Sequence, residues 1–119
     1  MDKKIQLFLD TIEHLEYVMG ITNKIVENFA ANKEFEANNF ILKFIDEINV
    51  TIEAINITKD IQTNSIDTNE INEGLKPIIE ALENQDFVLI SDLFEYEIFP
   101  ILERWKEELI KSKEKINII

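Results

Sequence analysis

DFVLISDLFEYEIFPILERWKEEL, residues 86–109, holds the only Trp of the chain, three of its eight Phe and a proline in mid-segment. On a helix of 3.6 residues per turn, Phe87, Ile90, Phe94, Ile98, Ile101, Trp105 and Leu109 fall on one line, because steps of three and four residues return to the same face. That line predicts the core face of a last, most buried helix. Leu89, Leu93, Tyr96 and Pro100 repeat the spacing on roughly the opposite side, where a surface helix is normally polar. The segment therefore has two apolar surfaces to cover, and what covers the second is the functional question. Pro100 removes an amide donor and crowds the carbonyl of Tyr96, so a kink is expected over residues 96–100.

The rest of the chain offers partners for the first line. Ile5, Phe8, Ile12, Leu15, Met19, Thr22, Val26 and Phe29 alternate spacings of three and four, predicting a first helix over 3–30 with Val18 and Ile25 widening its stripe. Gly20 lies inside it as a tolerated cost of roughly 1 kcal/mol relative to alanine. Asn32 is the expected N-cap of a second helix over 34–60, whose core line is Ala37, Ile41, Phe44, Ile45, Ile48, Ile52 and Ile55. QTNSIDTN, residues 62–69, is the most polar uncharged run and reads as a linker, with Asp67 or Thr68 able to cap a third helix over 69–84 and Thr68 the better fit if it begins at Asn69. That helix presents Ile71, Leu75, Ile78, Ile79 and Leu82 and tolerates Pro77; Asp86 then caps the last helix. The basic tail KSKEKINII suits a helix C-terminus, and Ile116, Ile118 and Ile119 dock or fray there.

Composition narrows the function. One domain of 119 residues with 45% hydrophobic and 30% charged residues is a globular balance, and two Gly and two Pro leave few turns, hence few long elements. The 22 isoleucines favour strands by propensity, but their spacing is helical and pattern outranks propensity. A net charge of −12 excludes a nucleic-acid or anionic-membrane partner, either of which needs a basic patch. Ten acidic residues face Lys76 alone between Asp67 and Glu103, while residues 104–119 carry five basic and three acidic groups. With no Cys there is neither a disulfide framework nor a thiolate, and with no signal-peptide core or transmembrane run a cytoplasmic location is expected.

Catalytic signals are weak. The only His, His14, lies beside the core stripe without the Glu-x-x-His pairing of a di-iron bundle. Carboxylate pairs at helical spacing, such as Glu13 with Glu16, Glu70 with Glu73 and Asp92 with Glu95, resemble the magnesium ligands of all-helical nucleotide pyrophosphatases, since a hard cation wants several carboxylate oxygens. No basic residues stand ready for phosphates, and Arg104 is the only arginine. A cofactor is not expected. The second stripe is the better lead: Leu89, Leu93, Tyr96 and Phe99, rimmed by Asp92, Glu95 and Glu103, form an apolar patch that is either covered by other helices of the chain, with the last helix central, or open to a partner's amphipathic helix or a second copy of the chain. Leu93→Glu is accordingly expected to weaken association and leave the monomer helical.

The segments QDFVLISDLFEYEIFPILERWKEE, residues 85–108, and ITKDIQTNSIDTNEINEGLKPIIEALENQD, residues 57–86, resemble an uncharacterised family of small acidic helical proteins from low-GC Gram-positive bacteria. The resemblance implies a domain ending in this helix and supplies no catalytic residue. In architecture alone the pattern is similar to small helical-bundle export chaperones such as the flagellin chaperones. The sequence thus predicts an all-α, antiparallel four-helix bundle with a Pro-kinked last helix, acting as a non-enzymatic adaptor or chaperone-like interaction module; a divalent-metal-dependent nucleotide pyrophosphohydrolase is the alternative.

Overall fold

The computed structural model describes residues 2–116. It contains α1 (Lys3–Ala30), α2 (Glu34–Ile57), a 3-10 turn (Lys59–Ile61), α3 (Asn69–Glu83) and a long last helix, α4, made of Phe87–Leu93, a π-helical turn over Phe94–Ile98, and Phe99–Ile116. No strand occurs among the described residues. The arrangement is the expected all-α four-helix one, elongated to 50 × 22 × 19 Å. Neighbouring helices run antiparallel: Lys4 of α1 meets Asp60 just beyond α2 at 3.1 Å, and Phe29 at the end of α1 stacks on Phe87 at the start of α4, with ring centroids 5.7 Å apart. The main packing pairs are α2 on α1, α1 on α4, and α3 on the first half of α4.

The core is contiguous. Phe8, Leu15, Val18 and Ile25 of α1 meet Phe44, Ile48 and Ile55 of α2, Ile71 and Ile78 of α3, and Ile90, Phe94, Ile98, Leu102, Trp105 and Leu109 of α4. Each such side chain contributes on the order of 1.5–3 kcal/mol by leaving water. Phe44 and Phe94 meet edge to face at 5.3 Å and 85°, a favoured aromatic geometry that locks α2 onto the π turn. Polar groups that enter the core are satisfied locally: the hydroxyls of Thr11, Thr51 and Thr58 donate to the carbonyls of Leu7, Glu47 and Ala54, four residues back.

Several expectations are corrected. Ile45 and Ile79, placed in the core by spacing, are 40% and 55% exposed, because each follows directly on a buried residue, Phe44 or Ile78, and turns outward by about 100°. Asn32 does not cap α2; it adopts φ 60 and closes α1, its amide donating to Phe29 while that of Lys33 donates to Asn28, the Schellman pattern. Gln85 does the same after α3 at φ 53, with Asp86 N–H bonded to Ala81. Thr68 stands at the N-cap position of α3, as expected, but its hydroxyl donates to Asn56 Oδ1 and caps no amide; the amide of Asn69 is taken by Asp67 Oδ1 at 3.0 Å. Asp86 caps α4 as expected, accepting from Leu89 N–H at 3.1 Å. Ile116 packs against the core; Ile118 and Ile119 lie outside the described residues.

The polar run after α2 is a tied strap rather than a linker. Gln62 is buried, donates to the Ile55 carbonyl at 2.9 Å and accepts from Ile66 N–H at 3.1 Å. Thr63 N–H donates to Ser112 Oγ at 2.9 Å, and Ile66 enters the core. A polar sequence conceals this because the groups that anchor the strap are themselves polar.

Candidate interaction surface on the last helix

Pro100 deforms α4 as anticipated, but the deformation is a π turn placed just ahead of it. Phe99 N–H reaches back five residues to the Phe94 carbonyl, so the chain widens before the residue that has no amide to donate. Phe94 and Ile98 are fully buried, and Glu95, Tyr96 and Glu97 stand in solvent between them.

The expected surface residues separate into three groups. Leu89 (43% exposed), Asp92 and Tyr96 (67%) lie together on the outer side of the first half of α4, where Asp92 and Glu95 supply the acidic rim. Leu93 is half-buried and lines the seam between α3 and α4 with Gly74, Pro77 and Ile101, so it is not part of a free surface. Phe99 is half-buried, and Glu103 is exposed farther along beside Met19, Lys106 and Ile110, fourteen residues and about 21 Å of helix from Leu89. Sequence reasoning missed Val88, which is 75% exposed next to Leu89 and lines a shallow cavity with Phe29, Asn32, Glu34, Phe87, Ser91 and Asp92. Its signal was available: on the helical wheel Val88 stands on the same row as Asp92 and Glu95.

Beneath this surface α4 is fixed by α3. Gly74 allows the close approach, since a Cβ there would lie 3.0 Å from Ile98 Cδ1 and 3.5 Å from Ile101 Cδ1. One turn earlier, Glu70 accepts from Trp105 Nε1 and from both terminal nitrogens of Arg104, at 3.4 and 3.0 Å. The only Trp and only Arg of the chain thus share one carboxylate, a charge-assisted clamp between the helices.

Elsewhere, His14 is half-buried with Nε2 3.1 Å from Glu47 Oε2. The Lys43 ammonium lies 5.4 Å from the centre of the Tyr17 ring, and its polar contact with Tyr17, with a smaller contribution from Glu47, pushes its pKa up. Among the described residues no three His, Asp or Glu side chains are close enough to hold a metal ion in common, and no helix is long and apolar enough to cross a membrane.

Neither a curated protein nor a solved structure matches the chain. A family profile does match, over residues 5–108, and these helices with their strap and clamp belong to the family described as a domain of unknown function, DUF8042.

Proposed function

We propose that this chain is a non-enzymatic interaction module, adaptor or chaperone-like, that binds an amphipathic helix of a protein partner through the first half of α4. The observation that carries the reading is the exposure of Val88, Leu89 and Tyr96, three large apolar side chains on one short stretch of helix, among Asp92 and Glu95. Exposed apolar anchors with a charged rim match the helix-in-groove mode, and the acidic rim calls for basic residues around the partner's apolar ones. The neighbouring π turn supports the same reading, since such turns cluster at functional positions. The absence of cysteine suits a reducing cytoplasm as the place of action. The Ile- and Asn-rich composition suits a codon-biased genome, and the resemblance of residues 57–108 implies small acidic proteins of low-GC Gram-positive bacteria.

Affinity capture from the native host with wild type and Tyr96→Glu tests the proposal. A protein retained by the wild type, lost with Tyr96→Glu and eluted by salt supports it; identical capture by both chains refutes it. No feature of the surface favours the hydrolase alternative. Saturable magnesium and nucleotide binding with turnover, abolished by carboxylate-to-alanine changes, would replace the interaction reading with it.

A further inference from the structure

α2 is packed on one side only. It lies along α1 and meets α4 through Phe44, and its core line of Ala37, Ile41, Phe44, Ile48 and Ile55 faces inward. Diametrically opposite, Phe35, Leu42, Val50 and Ile57 fall within about 80° of arc and are 75%, 64%, 53% and 55% exposed. Single exposed apolar residues are ordinary, but four on one line of a 24-residue helix form a stripe.

The charge on this face differs from that of the rest of the molecule. The outward residues between Phe35 and Ile57 are Glu36, Asn38, Asn39, Lys43, Asp46, Asn49, Glu53 and Asn56, one base against three acids, in a chain whose net charge is −12. Two copies repel strongly across the stretch from Asp67 to Glu103, where ten acids stand against one lysine, and repel less here. The stripe also reads the same from either end: its intervals are seven, eight and seven residues, centred on Asp46. A two-fold axis through Asp46, perpendicular to α2, brings Phe35 onto Ile57 of a second copy and Leu42 onto Val50, and each pair recurs by symmetry. It also sets each Lys43 within about 4.5 Å along the axis of the other copy's Asp46, so the two acids at the centre are countered by two bases. A strip about 36 Å long and 10–12 Å wide offers on the order of 400 Å² in outline per copy, about half of what a standard stable interface buries, so the pair is a weak, concentration-dependent one.

We propose that the outer face of α2 pairs two copies of this chain antiparallel about a two-fold axis at Asp46. The pairing does not depend on the α4 surface, so the two readings stand or fall separately. Sedimentation equilibrium of the whole chain is expected to show a mass rising with concentration from 14.0 kDa toward twice that value. Leu42→Glu, at a site 64% exposed, is expected to keep its helical circular dichroism and raise the dissociation constant at least about tenfold. Because the chain has no cysteine, single thiols report the register. Asp46→Cys cross-links to itself under mild oxidation, whereas Leu42→Cys cross-links only to Val50→Cys. A wild type that stays at 14.0 kDa throughout overturns the proposal. So does a Leu42→Cys chain that cross-links to itself as readily as Asp46→Cys, the mark of parallel pairing, or a dimer that survives Leu42→Glu and is lost with Tyr96→Glu.

Discussion

Trp105 on α4 donates its indole N–H to the carboxylate of Glu70 on α3, and Trp105 is otherwise sealed in the core at 1% exposure. The polar end of the largest side chain is therefore satisfied by one acid at the start of a different helix, and the adjacent Arg104 holds that acid in place.

Glu70→Ala leaves the indole N–H without its partner, and an unmade bond of this kind costs about 1–3 kcal/mol. Urea unfolding followed through the single tryptophan should show that loss. Glu70→Gln, which keeps an acceptor and loses the charge, should fall between. Equal stability of all three chains would show that water replaces the carboxylate at no cost.

The two glycines should respond in opposite ways. Nothing lies within 4 Å of a Cβ built on Gly20, so Gly20→Ala should gain roughly 1 kcal/mol of stability in thermal unfolding from helix propensity alone. At Gly74 a larger side chain meets fully buried Ile98, so Gly74→Leu should cost about 1–3 kcal/mol by overpacking the seam.

Gln85 holds a left-handed conformation that costs a residue with a Cβ about 1–2 kcal/mol. Gln85→Gly is expected to raise the denaturant midpoint by relieving most of that cost. Asp86→Ala, next to it, should lower the midpoint by removing about 0.5–2 kcal/mol of unfolding free energy through loss of the Leu89 cap.

Leu93→Glu and Tyr96→Glu separate core from surface on one helix. Leu93 lies half-buried in the seam beside Pro77 and Ile101, so a carboxylate there should destabilise the fold by about 1–3 kcal/mol, contrary to the expectation from spacing. Tyr96 is 67% exposed and its replacement should change stability by no more than about 0.5 kcal/mol. Circular dichroism melts of the two variants decide the matter.

Helix count, order and most core positions were legible because apolar residues recur at steps of three and four in α1 and along the first line of α4; Phe8, Leu15, Phe94 and Trp105 are buried where the spacing put them. The misses are of two physical kinds. Asn32 carries no sequence mark separating an N-cap from a left-handed C-terminal residue, since asparagine suits both. Burial of Gln62 and Ile66 depends on groups far away in sequence, Ser112 above all, that local pattern does not reveal. On the candidate surface, spacing found Leu89 and Tyr96 but joined them to Leu93, because a helical wheel drawn without α3 cannot show which side of the apolar row a short neighbour covers.

The strap from Gln62 to Thr68 has a kinetic consequence. Before it the chain closes α1 on α2 through three residues, and after it α3 on α4 through another three. Each hairpin needs only local loop closure, the least costly in chain entropy, and the strap can tie down on Ser112 only once α4 has formed. Folding should therefore run as two fast local events followed by one docking step, with Thr63 and Ile66 among the last amides to gain protection from hydrogen exchange.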